Sequence, residues 1–190
     1  MRSTPLLAIA LAVACSLVAV LGYQNRQLQE LQDQAFYRSL RPQPGTWLPP
    51  LEMVDVQGRA LTVAGGSGQL IYFFQPGCPV CERSNAAVRS LQQTLQQAGT
   101  AAPSMIGMGS GAAQALRHYA QSNAFAFPVA QLSGKSQHLL GAKQVPLLVL
   151  IDDDGKVLYS HVGLITNKNK DDVTHLMIKA ARKDASVAIQ

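Results

Sequence analysis

The alternation of apolar and polar positions divides the chain into an apolar N-terminal segment and a mixed α/β domain. Two alternating runs, residues 51–56 and 59–63, flank Gln57-Gly58 and predict a β-hairpin. Continuous apolar runs at 70–74 and 145–151 predict strands that are covered on both faces. Further helices and short strands are predicted, in chain order, as helix 83–98, strand 104–108, helix 112–122, strand 127–130, helix 133–140, strand 157–162 and helix 169–182. This order indicates a mixed central sheet flanked by helices on both faces, with the hairpin as an N-terminal extension.

The N-terminal segment is apolar without interruption. Residues 5–23 carry no charge, and a helix of that length spans roughly the ~30 Å hydrocarbon core of a bilayer. Arg2 precedes them, so residues 1–4 are predicted to form a cytoplasmic tip and the rest of the chain to be exported. A cleaved signal peptide and lipoprotein processing at Cys15 are alternatives that also export the domain. The apolar run continues to Leu21, past both sites, and favours an uncleaved single-pass anchor in the inner (cytoplasmic) membrane, with the domain facing the periplasm or another extracytoplasmic space.

Residues 24–44 differ from the segments on either side. The stretch 24–40 is rich in Gln with apolar residues at helical spacing, which predicts a juxtamembrane helix. Arg41-Pro42-Gln43-Pro44-Gly45 breaks that pattern. The predicted organisation is therefore a helix and linker at 24–44, a globular domain at 45–185 and a tail at 186–190.

Charge adds little to this picture. The chain has 16 basic and 11 acidic residues, and the excess of five is spread along its length. Because no basic stripe with interleaved aromatic residues is present, nucleic acid is not a predicted partner. The acidic run 152–154 precedes Gly155 and lacks the alternating ligands and distal Glu of a calcium loop, so it predicts an ordinary hairpin turn.

The candidate chemistry lies at Cys78 and Cys81, where the apolar strand 70–74 gives way to a helix. The first N–H groups of a helix lack partners and carry partial positive charge, which favours a thiolate at Cys78 and makes it a nucleophile. Cys81 lies one turn further, where it is more sheltered and placed to resolve a mixed disulfide. Gly77, Pro79 and Val80 surround the pair and are expected to contact a partner.

Two other uses of this cysteine pair fit the sequence less well. A closed zinc site needs four ligands, but the third cysteine, Cys15, lies in the apolar segment and the four histidines are scattered. A structural disulfide across two residues closes too small a loop to stabilise the fold much. Redox chemistry is favoured, with no metal and no cofactor other than a redox-active Cys78–Cys81 disulfide.

A strand that runs into a two-cysteine helix start, with Pro146 opening a buried strand about sixty-five residues later, resembles the thioredoxin fold. The resemblance covers roughly residues 45–182. More narrowly, the chain is similar to membrane-anchored, exported thioredoxin-like proteins of the TlpA and cytochrome-c-maturation type. The segment 73–81 also resembles the methylamine-utilisation protein MauD.

The resemblance implies roles for four residues. Cys78 corresponds to the attacking cysteine and Cys81 to the resolving one. Val145-Pro146 corresponds to the family's cis-proline loop, which lies against the disulfide. The backbone of Val145 is then free to pair with an extended segment of a partner.

The sequence departs from the thioredoxin pattern beside the first cysteine and on the preceding strand. Many thioredoxins carry Trp before the first cysteine, where this chain has Gly77, and the usual buried acid corresponds to Tyr72. Proton transfer from Cys81 must then use water, Glu82 or another group. Glu52 and Asp55 of the hairpin are candidates, although each is better interpreted as a solvated charge. The single Trp47 is interpreted as a packing residue.

The sequence therefore predicts an exported, membrane-tethered thiol–disulfide oxidoreductase that reduces disulfides of specific exported client proteins and draws electrons from a membrane donor. The first alternative is a dedicated accessory protein, chaperone-like, that captures one client during enzyme maturation. The second is a dithiol oxidase or a peroxidase of related fold.

Overall fold

The computed structural model describes residues 4–99 and 102–187, without the side chains of residues 4–10, 12, 34 and 178–187. The chain forms two compact units that divide between Ser39 and Leu40. The prediction placed this division at residue 44, within the proline-rich break.

The first unit is a single helix, α1 (Thr4–Ser39), of 36 residues. Good helix formers such as Gln, Leu and Glu continue from residue 24 onward, so the expected anchor and juxtamembrane helix are one element. Within the part of the chain that the structure describes, no helix is both long enough and apolar enough to cross a membrane. The anchor predicted at residues 5–23 is therefore not supported. Residues 1–3 of the predicted tip, and the side chains of residues 5–10 and 12, lie outside the described residues.

The second unit contains the remaining elements. Its strands are β1 (Leu51–Val54), β2 (Ala60–Val63), β3 (Gln69–Phe74), β4 (Ser104–Gly109), β5 (Val129–Gln131), β6 (Leu147–Ile151) and β7 (Val157–Val162). Its helices are α2 (Pro79–Ala98), α3 (Ala113–Ser122), α4 (Gly134–Leu139) and α5 (Asn167–Val187). Every predicted element is present, with ends shifted by up to five residues. Because α5 continues to Val187, residues 186 and 187 of the predicted tail are helical, and residues 188–190 lie outside the described residues.

The central sheet has the strand order β5-β4-β3-β6-β7. Strands β3, β4 and β5 run parallel, whereas β6 is antiparallel to both β3 and β7. This confirms the mixed sheet. Strand β3 lies at its centre and all six of its residues are buried, as its continuous apolar run predicts.

The two faces of β3 belong to two separate hydrophobic clusters. Leu70, Tyr72 and Phe74 pack with residues of α2, α3 and α5. Ile71 and Phe73 pack on the other face with residues of β2, β4 and β6 and of the segment around α4. Burying side chains of this size stabilises the fold by roughly 1.5–3 kcal/mol each, so the strand that leads into the cysteines is held from both sides.

The hairpin β1–β2 forms a separate two-stranded sheet, and Asp55 joins it to the main sheet through a bridge with Ala130. Trp47 is not a packing residue: it is 65% exposed, and the ammonium of Lys156 lies 5.1 Å from its ring centroid. The acidic run forms the predicted turn between β6 and β7, where Asp152 accepts hydrogen bonds from the N–H groups of Asp154 and Lys156.

Candidate active site

A tight turn connects β3 to α2 and positions the first cysteine. The N–H of Cys78 donates to the carbonyl of Gln75 across 3.2 Å. Between them, Gly77 has φ +78°, a left-handed conformation that glycine adopts without steric cost. The chain therefore reverses direction at the end of the sheet and enters the helix directly at Cys78.

Cys78 caps helix α2. Its backbone is extended (φ −80°, ψ 114°), and its Sγ accepts a 3.3 Å hydrogen bond from the N–H of Cys81. Its carbonyl accepts a 3.0 Å bond from the N–H of Glu82. Pro79 occupies the first turn, where its missing N–H costs nothing. The pair therefore lies at the helix start as predicted, and α2 begins before residue 83 because the cysteine itself provides the cap.

The two cysteines differ in exposure. Cys78 is half-buried, whereas Cys81 is completely buried, and both are free thiols in this structure. Burial raises the pKa of the Cys81 thiol to about 12, and its hydrogen bond with Cys78 and the charge of Glu82 act in the same direction. A backbone hydrogen bond from Gln75 opposes them. Cys81 is therefore a protonated thiol at neutral pH.

Val145 and Pro146 lie at the same end of the sheet as Cys78. The peptide bond between them is cis, as the resemblance implies. Strand β6 begins at the next residue, Leu147, which pairs with Phe73 of β3, and the carbonyl of Pro146 accepts a 2.9 Å bond from Gly163. Val145 is half-buried and Pro146 is buried.

The other residues predicted to contact a partner flank Cys78 directly. Gly77 and Pro79 are exposed, and Val80 is half-buried. Together with Cys78 they form the part of the site that faces solvent.

Tyr72 is fully buried on β3, at the position that the resemblance assigns to a carboxylate. Its hydroxyl lies 3.5 Å from Oδ1 of Asn85. Burial raises the pKa of Tyr72 far above its ordinary value, and repulsion from the ionised forms of Cys81 and Tyr119 adds to the shift. The Tyr72 hydroxyl is therefore not ionised in the folded protein at neutral pH.

Asn85 is the centre of a polar cluster that the sequence analysis did not identify. Its Nδ2 lies 2.9 Å from the Tyr119 hydroxyl, 2.7 Å from Oδ1 of Asn123 and 3.4 Å from Oε2 of Glu82. The five residues Tyr72, Glu82, Asn85, Tyr119 and Asn123 are called the Asn85 cluster below. A signal was present in the sequence: Asn85 follows Cys81 by four positions and precedes Val88 by three, which puts a polar side chain on the buried face of α2.

Ser84 is a second residue that the sequence analysis missed. Its buried Oγ donates to the carbonyl of Val80 across 2.8 Å and accepts from the N–H of Ile165 across 3.0 Å. The hydroxyl therefore ties the segment that follows β7 to the first turn of the active-site helix.

The two hairpin acids do not reach this site. Glu52 is exposed and accepts hydrogen bonds from Thr62, as expected for a solvated charge. For Asp55 that interpretation is wrong, because it is only 5% exposed and bonds the Arg59 side chain at 2.7 Å. Burial acts to raise the pKa of Asp55, but hydrogen bonds from Arg59 and Gln57 outweigh it and hold the pKa below its ordinary value. Asp55 therefore stabilises the hairpin turn.

The second unit is similar in fold to several solved structures, of which three are described here. The thioredoxin domain of a thiol-disulfide oxidoreductase from Bacteroides vulgatus has a TM-score of 0.62 and 13% identity, covering 72% of this chain and 99% of that one. A thiol:disulfide interchange protein of the thioredoxin family from Chlorobium tepidum has values of 0.59 and 18%, with 72% and 97% coverage. StoA from Bacillus subtilis has values of 0.57 and 15%, with 69% and 99% coverage.

Neither a protein-family model nor a curated protein matches the sequence. At these identities the solved structures show the fold. The second unit of the chain has the thioredoxin-like fold that the two cysteines and Pro146 indicate.

Proposed function

We propose that this chain is a thiol–disulfide oxidoreductase that acts on protein disulfides through Cys78 and Cys81. The carrying observation is the asymmetry of the pair. The half-buried Cys78 caps a helix start, and the buried, protonated thiol of Cys81 follows one turn later. The fold shared with thiol-disulfide oxidoreductases supports the same activity.

The exchange proceeds in two displacements. The Cys78 thiolate attacks one sulfur of a partner disulfide, so that a Cys78–partner bond forms and the partner's second sulfur leaves as a thiolate. Cys81 then loses its proton and attacks Sγ of Cys78, which releases the first partner sulfur. The partner gains two electrons, one proton from Cys81 and one proton from water, and the chain is left with a Cys78–Cys81 disulfide.

The partner binds as an extended segment beside Cys78. Val145 pairs with its backbone, and Gly77, Pro79 and Val80 contact its side chains. These residues lie at one end of the sheet around the solvent-facing sulfur, which supports their assignment. The physiological direction is reduction of specific exported clients, with electrons from a membrane donor that resets the disulfide.

Turnover of a generic disulfide is the first test of the proposal. The full chain with dithiothreitol should accelerate the reduction of insulin, and Cys78→Ser should abolish that acceleration. Cys15→Ser, which removes the thiol outside the site, should leave it unchanged. Equal rates for wild type and Cys78→Ser would contradict the proposal.

Trapping identifies the partners. Cys81→Ala removes the resolving thiol, so Cys78 should accumulate in mixed disulfides that run as higher bands and disappear on reduction. Several trapped proteins are expected for an oxidoreductase. A single trapped protein without insulin turnover would instead indicate the dedicated accessory role, and accumulation of dithiol substrates would indicate an oxidase.

Export and tethering through residues 5–23 are predictions from the sequence. In intact cells, a membrane-impermeant maleimide should label Cys78 in the Cys15→Ser variant. Carbonate extraction should leave the chain in the membrane fraction. Labelling that requires cell lysis would contradict export, and release by carbonate would contradict the tether.

A further inference from the structure

The second displacement requires Cys81 to lose a proton inside the protein, and this inference about that proton rests on the function proposed above. Cys81 is completely buried, and its neighbourhood favours the protonated thiol. Attack on the mixed disulfide requires the thiolate. Water or a group within the site must therefore accept the proton during the attack.

The surroundings of three other acidic or hydroxyl groups exclude them as the proton acceptor for Cys81. Tyr72 occupies the position of the usual acid, but a buried phenol that stays neutral cannot act as a base. Asp55 pairs with Ala130 on the outer edge of β5, three strand spacings from β3, so at ~4.8 Å per spacing it lies about 14 Å from the strand that leads into the site. Glu52 is bound to Thr62 within the same hairpin.

Glu82 differs from these groups because it is adjacent to Cys81 in the chain and is held in place by hydrogen bonds. It follows Cys81 directly on α2, and its N–H is bonded to the Cys78 carbonyl. Its carboxylate accepts from Nδ2 of Asn85 at 3.4 Å. The same Nδ2 donates to the Tyr119 hydroxyl across 2.9 Å, and burial together with the charge of Glu82 raises the pKa of Tyr119.

The Asn85 cluster thus connects a solvent-exposed carboxylate to the buried region around the resolving thiol. Glu82 is exposed, whereas Asn85 and Tyr119 are buried. The titratable groups around Cys81 are Cys78 and Glu82 on α2, Tyr72 on β3 and Tyr119 on α3. Among them, Glu82 alone is a carboxylate.

We propose that Glu82 is the proton acceptor for Cys81 in the resolving step and that Asn85 and Tyr119 are positioning residues that hold its carboxylate there. The Cys81 proton passes to Glu82 as the Cys81 sulfur attacks Sγ of Cys78. The Cys78–partner bond breaks, the Cys78–Cys81 bond forms, and Glu82 returns the proton to the departing partner thiolate. No other co-reactant is needed.

The resolving step can be timed with dithiobis(nitrobenzoate), each half of which becomes coloured on release. In a full-length Cys15→Ser background, attack by Cys78 releases the first half and attack by Cys81 releases the second. Glu82→Gln should slow the second release by about 10²–10⁴-fold, the usual contribution of a general base. The first release should stay within about threefold, because an exposed charge acts weakly through water.

The sign of the effect separates this role from simple electrostatics. The negative charge of Glu82 disfavours the Cys81 thiolate, so its removal would speed the second release if charge were its sole effect. Between pH 6 and 8 the wild-type rate should vary little. The Glu82→Gln rate should rise about tenfold per pH unit, since hydroxide then replaces the base.

Two further variants keep the test decisive. Glu52→Gln makes the same chemical change on the exposed hairpin and should match wild type. Glu82→Asp keeps a carboxylate and should resolve at a rate between those of wild type and Glu82→Gln, even if the amide variant folds poorly. Unchanged or faster second release in both Glu82 variants overturns the proton-acceptor role alone. If the wild-type chain shows neither release, the exchange function fails and this inference fails with it.

Discussion

The two sides of the cysteine pair have opposite properties, although only two residues lie between the cysteines. On the outer side, Cys78 lies among exposed or half-buried residues without charge: Gly77, Pro79, Val80 and Val145. On the inner side, Cys81 belongs to the same buried cluster as Tyr72 and Tyr119, whose hydroxyls are bonded to the buried Asn85.

The difference separates recognition from proton handling. A partner needs no complementary charge to bind an uncharged outer surface. It would be recognised through backbone hydrogen bonds and would react with the Cys78 sulfur. The inner side places polar groups at low dielectric, where each hydrogen bond is strong and each unpaired group is costly. We therefore expect changes on the inner side to alter the rate of resolution and the stability more than they alter partner attack.

The largest expected contrast is the reactivity of the two thiols themselves. At pH 7.5, iodoacetamide should modify Cys78 at least about 10²-fold faster than Cys81, because the thiolate is the nucleophile and Cys81 is both buried and protonated. Peptide mapping by mass spectrometry measures both rates in one sample. Cys15, which is exposed, provides an internal standard. Equal labelling of Cys78 and Cys81 would remove the basis of the comparison.

Asn85→Ala should slow the second release of dithiobis(nitrobenzoate) by about tenfold, with the first release unchanged, because Glu82 then loses the side chain that is bonded to its carboxylate. Gln93→Ala makes a similar change on the exposed face of α2 and should behave as wild type. Circular dichroism checks that both variants fold. An effect confined to the first release would show that Asn85 serves partner attack instead.

Ser84→Ala should destabilise the reduced protein by about 1–3 kcal/mol, because the buried N–H of Ile165 loses its acceptor. Urea unfolding measures this loss. Ser90→Ala on the same helix, where the hydroxyl is bonded to Lys170 at 3.4 Å, should stay within about 0.5 kcal/mol of wild type. Equal effects in the two variants would argue against a specific role for Ser84.

The smallest predicted effect is a pH dependence of stability. The folded protein holds the pKa of Cys81 and Tyr72 above their ordinary values of 9.0 and 10.0. Above those values the unfolded chain binds fewer protons than the folded one, so the free energy of unfolding is maintained below pH 9 and falls as the pH rises further. Urea unfolding at pH 8, 9.5 and 10.5 measures the decline.

Tyr72→Phe should make that decline shallower, since Phe does not titrate. Tyr37→Phe, at an exposed position of α1, should leave the slope unchanged. A Tyr72→Phe protein with the wild-type slope would show that Tyr72 does not contribute to the pH dependence.

Much of the architecture could be predicted from local patterns. The all-apolar β3 run, the alternating hairpin and the apolar face of α2 indicated the mixed sheet, because burial on one or both faces leaves a periodic signature. The membrane anchor at residues 5–23 is a prediction that the described residues do not support. Residues 5–23 form only part of α1, and the described residues contain no helix able to cross a membrane.

What the sequence alone determined was the position of the cysteine pair at a helix start, because strand and helix periodicities meet at Cys78. Only the tertiary structure decided the surroundings of Cys81. Residues separated by many positions meet there: Tyr72 from β3, Asn85 from α2, and Tyr119 and Asn123 from α3 and its cap. Local patterns carry no information about which distant polar groups will share a buried site. The packing of α2 and α3 on one face of the sheet therefore brought Asn85 to Tyr119, and the hairpin turn removed Asp55 from the candidates by burying it against Arg59.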